Sequence, residues 1–470
     1  MLSAEEIQKL ISEDSSSEKK RHARKAQLYY DGEHDIKQYR LFYYNADGNL
    51  VEDTSRSNVK ICHPFFAELV DQAVQYILSC DDMIKSDIPE LQSELDAYFN
   101  SSESFTSELS DLLTGCMVKG YEFMAAYKND ENRLCFKCAD SLCVTEVRRN
   151  DTDKNAEYVI YTYSERVRNK IITRIQVWDK EHVHFFVQTE NGAVEKDSSE
   201  KLNPRPHLLY MDNGTTCCDS FGFIPFFRLD NNKKQYSSLK TIKDLIDDYD
   251  LMASSLSNNL IDFDTPIHVV KGFEGDNLDE LQTNLKTKKI VGVEEGGGID
   301  VKTVDVPYEA RQAKLDLDEK NIYRFGMGLN TAGLRDTSAT TNIAIKAAYS
   351  LLELKCSKLE IRLKQFLRKL LTPVLREINS RNETGYKQSD VYFDFTHEIM
   401  SNAHENAQID HLNAQTQQTK INTLLSLMES LDDETLMRNI CDALDIDYEE
   451  VKNRLPKSAE ELIHNAEINL

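Results

Sequence analysis

Gly115 and Gly120 have the spacing of the two glycines in a phosphate-binding loop, which cradles nucleotide phosphates at the start of a helix. That chemistry requires Lys and then Ser or Thr directly after the second glycine, because the ammonium group contacts the phosphates and the hydroxyl group binds magnesium. Tyr121 and Glu122 occupy those two positions in this chain. The loop therefore lacks the groups that nucleotide hydrolysis needs.

Two histidines, His397 and His404, are each followed by glutamate, as in the helix that binds zinc in many metalloproteases. In those enzymes a second histidine four residues later supplies the other helix ligand. The chain has Ser401 and Gln408 at the required positions. These failed motifs predict a protein that is not an enzyme and needs no cofactor.

Cys135, Cys138 and Cys143 form the densest group among the ten cysteines. A structural zinc site needs four ligands, and no second Cys-x-x-Cys or pair of histidines follows at the spacing of known zinc motifs. We therefore interpret the three cysteines as thiols in buried strands, with zinc binding as the open alternative. No metal site is predicted.

The composition indicates a globular protein of a reducing compartment. The 470 residues suffice for about three domains of ~150 residues, and no apolar stretch approaches the ~20 residues that span a bilayer. Met1–Glu6 carries acids where a signal peptide needs bases, which predicts a cytoplasmic start and no membrane partner. The formal net charge of -24 opposes wrapping of nucleic acid by a general basic surface.

The spacing of apolar residues, which predicts the helices and strands that position these side chains, changes along the chain. Ser3 and Glu6 match a capping box for a first helix, and residues 64–78 have apolar side chains at helical spacing. From Tyr121 to Phe227 apolar and polar residues alternate, which predicts an antiparallel β-meander. The fold class is therefore α+β.

Long helices dominate the second half of the chain. Residues 237–262 and 307–328 have apolar residues at steps of three or four, and they bracket a β-rich insert, residues 263–306. A loop rich in glycine and threonine, residues 329–341, precedes a long helix and an edge strand in residues 342–396. Residues 397–470 are predicted to form helices, with 15 acidic and 5 basic side chains.

Several segments resemble the phage portal proteins of the SPP1 type. Residues 29–36, YYDGEHDI, match the family's early YY-x-G-x-x-x-I stretch. Residues 57–76 are similar to its N-x-x-x segment and the helix that follows. Residues 340–355 are similar to its S-G-x-A-l-k … L-e-x-K segment, although Asn-Ile replaces Ser-Gly. The order of elements agrees over about residues 20 to 400.

The resemblance implies a ring, usually of twelve copies, at the capsid vertex through which DNA enters during packaging and leaves at infection. It also implies a division of the chain into an N-terminal region with the wing (1–236), a first stem helix (237–262), a clip (263–306), a second stem helix (307–328), a tunnel loop (329–341), a long wing helix with its strand (342–396) and an acidic helical crown (397–470). Two long helices around a small insert bury too little of themselves, which independently predicts lateral neighbours.

The resemblance further implies which residues meet DNA. The tunnel loop would contact it through Asn330, Thr331, Gly333, Leu334, Arg335, Asp336 and Thr337. Basic residues of the two stem helices are candidates to line the channel, namely Lys240, Lys243, Arg311, Lys314, Lys320 and Arg324. Acids at similar positions on the same helices predict that many of these bases form ion pairs.

The implied partners are other copies of the chain, double-stranded DNA, the terminase large subunit, a head-tail adaptor protein, and the major capsid and scaffolding proteins. The implied location is the portal vertex of the virion, after a stage in the host cytoplasm. Two other functions stay open from the residues alone: a cytoplasmic oligomeric scaffold protein, and a Cys/His metal-dependent hydrolase that would need zinc at the cysteine group.

Overall fold

The computed structural model divides the chain into two compact units. One unit comprises residues 1–331 and 349–398, and the other comprises residues 332–348 and 399–470. The residues that the structure describes are 1–54, 56–80, 82–100, 103–129, 131–150, 155–167, 170–189, 191–212, 215–263, 267–271, 296–302, 307–330, 342–397, 403–426, 435, 438–441 and 448.

Helices and strands both contribute, so the predicted α+β class is confirmed. The α-helices are α1 (Ala4–Ser16), α2 (Glu18–Tyr30), α3 (Phe65–Leu78), α4 (Pro89–Leu95), α5 (Glu103–Lys119), α6 (Lys243–Phe263), α7 (Tyr308–Gly326), α8 (Asn342–Asn382) and α9 (Ala403–Ser426). Within the described ranges, none of these helices combines the length and the apolar composition that crossing a bilayer requires.

The strands form several small antiparallel sheets. They are β1 (Phe42–Tyr44), β2 (Leu50–Glu52), β3 (Ile84–Lys85), β4 (Tyr121–Lys128), β5 (Leu134–Ala139), β6 (Val144–Val147), β7 (Tyr158–Val167), β8 (Lys170–Trp178), β9 (His182–Gln188), β10 (Val194–Lys196), β11 (Arg205–Pro206), β12 (Leu208–Asp212), β13 (Thr215–Asp219), β14 (Phe226–Asp230), β15 (Ile267–Lys271), β16 (Gly298–Lys302) and β17 (Tyr392–Phe393).

The N-terminal helices begin at serine caps. The Ser3 hydroxyl accepts a hydrogen bond from the Glu6 N–H at 3.2 Å, and the Glu6 carboxylate accepts one from the Ser3 N–H at 2.7 Å, so the predicted capping box is confirmed. Ser17 caps α2 through the N–H of Lys20 at 3.3 Å. Ile7 of α1 is fully buried against a sheet that includes Ile160 of β7.

The main core lies among α3, α5, α8 and the sheet that contains β4. Helix α8 supplies a buried stripe at steps of three or four, which includes Leu359, Leu363 and Phe366. Helix α5 was not predicted from the sequence. Its buried apolar positions, such as Leu109, Leu112 and Cys116, have helical spacing, which is the signal that could have revealed it.

The single β-meander predicted for residues 121–227 is wrong as one sheet. Strands β6 to β10 do form a meander, with β11 paired to β9. Strands β14, β4 and β5 form a second sheet in that order, and β12 and β13 form a separate two-stranded sheet among the described residues. The chain therefore leaves one sheet for another between β5 and β6.

Buried charges fix that change of sheet. The carboxylate of Glu122 accepts a hydrogen bond from the Ser141 N–H and pairs with Lys119. The Lys20 ammonium donates to the carbonyl oxygens of Ser141 and, at 2.8 Å, of Val144. Burial raises the pKa of Glu122 to about 7, although the Lys119 charge opposes that shift. Lys20 lies more than 120 residues from Ser141 and Val144, so alternation alone could not reveal where the sheet ends.

The two glycines with phosphate-loop spacing have structural roles. Gly115 lies in α5, where a Cβ atom would stand 2.0 Å from the Glu122 carboxylate oxygen Oε2. Gly120 has a φ of +94°, and a Cβ atom there would stand 2.3 Å from the carbonyl oxygen of Gln235. Close packing therefore accounts for both glycines.

The long helices begin and end close to the predicted bounds, with one correction. The helix predicted from residue 237 starts as a 3-10 turn, Ser238–Thr241, and the α-helix begins only at Lys243. The cause is local: the Ser237 hydroxyl accepts a hydrogen bond from the Leu239 N–H at 3.0 Å, and Ile242 departs from helical geometry with φ -126° and ψ -6°.

The insert between the long helices contains the predicted strands in part. Strand β15 pairs antiparallel with β16, with Lys271 opposite Gly298. The sequence predicts three strands in the insert, at residues 267–270, 289–293 and 301–306, and a short helix at 278–285. The first strand is present as β15, and the last begins earlier than predicted, at Gly298. Residues 272–295 and 303–306 lie outside the described residues.

We predict that Gly115→Ala destabilises the protein, because the added methyl group must displace a buried carboxylate. The free energy of unfolding should fall by about 1–3 kcal/mol in denaturant titrations, the usual cost of overpacking. Gly385→Ala is the matched control, because a Cβ atom there meets nothing within 4 Å. Equal stability of the two variants would contradict this packing role for Gly115.

Candidate functional site

Helices α6 and α7 pack against each other and carry most of the basic residues predicted to line a channel. The Lys314 ammonium lies 2.6 Å from an oxygen of Asp248 on α6 and 2.6 Å from one of Asp318 on its own helix. The side chain of Asp318 is 3% exposed, so Lys314 supplies its compensating charge. The hydrogen bonds that the Lys314 ammonium donates to both carboxylates raise its pKa.

Lys243 lies in a second charged cluster, at the start of α6. Its ammonium donates to Asp247 at 2.6 Å and to Asp35 at 2.9 Å, and Lys25 donates to the other oxygen of Asp35 at 2.6 Å. Burial acts to raise the pKa of Asp35, but the hydrogen bonds from the two lysines outweigh it and lower the pKa to about 2. The Tyr29 hydroxyl donates to Asp247 and completes the cluster.

The other predicted bases have different surroundings. Lys240 is exposed, with its ammonium 3.4 Å from the centroid of the Tyr236 ring. Lys320 and Arg324 are exposed on α7. Among the described atoms, Nη1 of Arg311 is buried without a hydrogen-bond partner. Ion pairing is therefore present as predicted for Lys243 and Lys314, whereas Lys320 and Arg324 keep their charges at the surface.

A buried polar cluster on α6 was missed by the sequence interpretation. The carboxylate of Asp250 is fully buried and meets His34 Nδ1 at 2.6 Å and His63 Nδ1 at 2.9 Å. Burial acts to raise the pKa of Asp250, but the hydrogen bonds from the two histidines lower it overall. Burial raises the pKa of the adjacent Cys62 thiol. No sequence motif joins these residues, because they come from three separate segments.

The predicted tunnel loop is described only at its beginning. Leu329 is buried, and its N–H and carbonyl group each hydrogen-bond the Gln72 amide at 2.9 Å. The Asn330 amide donates to Glu319 at 3.1 Å. The remaining predicted residues lie outside the described residues, namely Thr331, Gly333, Leu334, Arg335, Asp336 and Thr337.

The segment that leads into this loop is tightly packed. A Cβ atom on Gly326 or Gly328 would stand 2.6 or 2.0 Å from a methyl group of Leu69 on α3. Met327 between them adopts a left-handed conformation with φ 53° and ends α7. The Lys355 ammonium donates to the carbonyl oxygens of Leu69 at 3.0 Å and Gly326 at 3.1 Å, and burial lowers its pKa to about 8. The exit from α7 is therefore fixed to both α3 and α8.

Cys135, Cys138 and Cys143 do not point toward one shared metal position. Cys135 and Cys138 lie on β5 an odd number of positions apart, so their side chains point to opposite faces of the sheet. Burial raises the pKa of both thiols and of Cys143. The interpretation as buried strand thiols is confirmed only in part, because Cys135 and Cys138 lie on a strand but Cys143 lies in the turn before β6, and all three are half-buried. The hydrolase alternative loses the zinc ligands it required.

We predict that Lys314→Ala lowers the free energy of unfolding by about 1–2 kcal/mol, because it leaves the buried Asp318 carboxylate without its partner. Partial exposure of Lys314 keeps the loss below that of a fully buried pair. Lys320→Ala on the exposed side of the same helix should change stability by less than ~0.5 kcal/mol in the same denaturant titration. A larger loss at Lys320 than at Lys314 would argue against this pairing.

Residues 10–460 match the model of the family described as phage portal protein, SPP1 Gp6-like. The chain is 26% identical over 366 residues to the portal protein of Bacillus phage SPP1, which covers 77% of this chain and 70% of that protein. It is also 26% identical over 443 residues to the portal protein of Clostridium phage phiCD119, which covers 86% of this chain and 88% of that protein. The match includes both long helices, the insert between them and most of the acidic C-terminal region. The chain therefore belongs to the SPP1 Gp6-like family of phage portal proteins.

Proposed function

We propose that this chain forms a ring, with twelve copies as the expected number, at one vertex of a phage capsid, and that DNA passes through its centre during packaging and ejection. The family match over residues 10–460 is the observation that carries this proposal. The family is a structural one. The protein therefore acts by assembling into a ring that lets DNA through, and a separate motor does the work of packaging.

Exposed apolar side chains on the long helices support assembly with neighbouring copies. Leu260 and Ile261 near the end of α6 are 49% and 52% exposed, and Leu317 and Phe325 of α7 are 54% and 52% exposed. Removing apolar surface from water contributes a favourable free energy of roughly 25 cal/mol per Å². Lateral contacts between copies in a ring would remove them from water, as the sequence pattern predicted.

The parts of the ring are assigned by analogy with the family. Helices α6 and α7 correspond to the stem, β15 and β16 belong to the clip, and residues 329–341 form the tunnel loop. The N-terminal helices, the sheets and α8 form the wing, and α9 belongs to the crown. The terminase large subunit and the head-tail adaptor dock on this ring, and the capsid and scaffolding proteins surround it at the virion vertex.

The negative charge of the protein is suited to a channel through which DNA moves without binding tightly. Each copy carries a formal net charge of -24, and the two stem lysines with the closest acidic partners, Lys243 and Lys314, are already neutralised. Binding of basic side chains to DNA phosphates is driven largely by the release of cations condensed on the DNA. Lysines that are already paired with carboxylates displace few of these cations. The exposed bases Lys320 and Arg324 are left as local contacts that steady the duplex.

We expect assembled rings to bind linear duplex DNA weakly at both ~50 mM and ~200 mM salt in gel-shift titrations. Phosphate-driven binding would instead be tight at low salt and would weaken by ~10³ or more between the two conditions. Such a steep loss would show that the channel grips DNA through free basic residues, contrary to the proposed slippery channel.

A bulky residue in the tunnel loop should block DNA without blocking assembly. We expect Thr337→Trp to form rings, seen by native mass spectrometry and negative-stain microscopy, and to lower the yield of DNA-filled heads at least tenfold. Thr416→Trp on the exposed surface of α9 is the matched control and should package normally. Normal packaging by Thr337→Trp would overturn the tunnel assignment, and the absence of rings in the unchanged protein would overturn the portal function itself.

A further inference from the structure

Three segments that are distant in sequence meet at the buried carboxylate of Asp250 on α6. His34 follows the end of α2, Cys62 and His63 precede α3, and one donor atom from each of His34, Cys62 and Asp250 lies within 4.8 Å of the other two. Asp250 and the His34 side chain are both fully buried. An imidazole, a thiol and a carboxylate are three of the side-chain groups that bind transition metals in proteins.

The orientation of His34 makes its Nδ1 atom the one that can coordinate a metal. Its Nε2 atom lies 3.1 Å from the carbonyl oxygen of Tyr29, which can only accept, so Nε2 carries a hydrogen and donates it. Its ring stacks on the Tyr29 ring with centroids 4.6 Å apart and planes 10° apart. Histidine ligands are commonly held in this way by a backbone carbonyl group on the other nitrogen. Nδ1 therefore points toward the carboxylate as the coordinating atom.

His63 holds the carboxylate from the other side. Its backbone N–H and its Nδ1 atom both lie 2.9 Å from Oδ1 of Asp250. This leaves Oδ2, at 2.6 Å from His34 Nδ1, as the oxygen that faces the other donors. Donor atoms around a tetrahedral zinc ion lie about 3.3–3.8 Å apart, given bonds of ~2.0–2.3 Å. The 2.6 Å between His34 Nδ1 and Asp250 Oδ2 must therefore widen by about 1 Å when the ion binds.

We propose that His34 Nδ1, Cys62 Sγ and Asp250 Oδ2 bind a zinc ion whose fourth ligand is a water molecule, with His63 as the residue that positions the carboxylate. The mixed nitrogen, sulfur and oxygen donors favour zinc over magnesium or calcium, which prefer oxygen alone. The ion takes the place of the proton that His34 Nδ1 otherwise shares with Asp250, and of the thiol proton of Cys62, and both protons leave to solvent.

Zinc at this position would join the end of α2, the segment before α3 and the middle of α6. The proposal does not depend on the portal function, because it concerns how one chain holds its long helix. The same atoms could instead form only a hydrogen-bonded imidazole–carboxylate pair, and the two arrangements differ in metal content and in the role of Cys62.

The test uses the full chain, purified without chelator and then loaded with zinc or cobalt(II). We expect one zinc per chain by elemental analysis, and with cobalt(II) the thiolate charge-transfer and d–d absorption bands of a tetrahedral site with sulfur. Cys62→Ser should lose the charge-transfer band and bind zinc at least tenfold more weakly. Cys218→Ser, in the exposed hairpin of β12 and β13, is the matched control and should keep both.

Stability supplies an independent readout if Cys62→Ser folds poorly. Removal of zinc with a chelator from the unchanged protein should lower the melting temperature by about 3 °C or more, and added zinc should restore it. Unchanged melting after chelation, together with less than 0.1 zinc per chain at micromolar zinc, would overturn the site in favour of the hydrogen-bonded pair. A cobalt band that survives in Cys62→Ser but vanishes in Cys138→Ser would overturn it in favour of the strand cysteines.

Discussion

A charge inside a protein must have a partner, and the position of the long helix α6 depends on this constraint. Its carboxylates at 247, 248 and 250 each meet a partner from another segment, namely Tyr29, Lys314 and the two histidines respectively. The Asp250 carboxylate is fully buried, and removal of its partners would cost more than the pairs themselves contribute. Apolar contacts add to this at the start of the helix, where Ile246 is fully buried. Charge decides the orientation and apolar packing adds stability.

This balance explains a helix that is long but not strongly apolar. A helix whose stripe is covered by its own unit needs little help from elsewhere, as α8 illustrates with its buried Leu363 and Leu370. Helices α6 and α7 leave several apolar side chains in water, and among the described residues the ion pair between Lys314 and Asp248 joins the two helices. In the proposed ring, one side of each helix would contact its own chain and the other side would contact a neighbouring copy.

The sequence predicted features that depend on neighbours along the chain. The capping box at Ser3, the helices of residues 65–78 and 308–326, and the alternating strands follow from local spacing, and the structure confirms them. The end of the first sheet and the cluster around Asp250 depend on partners such as Lys20 and His34 that are distant in sequence. No periodicity records such pairs, which is why the sheet boundary was wrong and the cluster was missed.

The tight exit from α7 has a consequence for how the family can vary. Gly326, Gly328 and Lys355 fix the root of the following loop against α3 and α8, while the hydrogen bonds of Leu329 and Asn330 close it. A side chain larger than glycine at position 326 or 328 would collide with Leu69, and loss of the Lys355 ammonium would remove its hydrogen bonds to the carbonyl oxygens of Leu69 and Gly326. A relative that differs at one of these positions must therefore change α3 or α8 as well, so the three positions should vary together across the family.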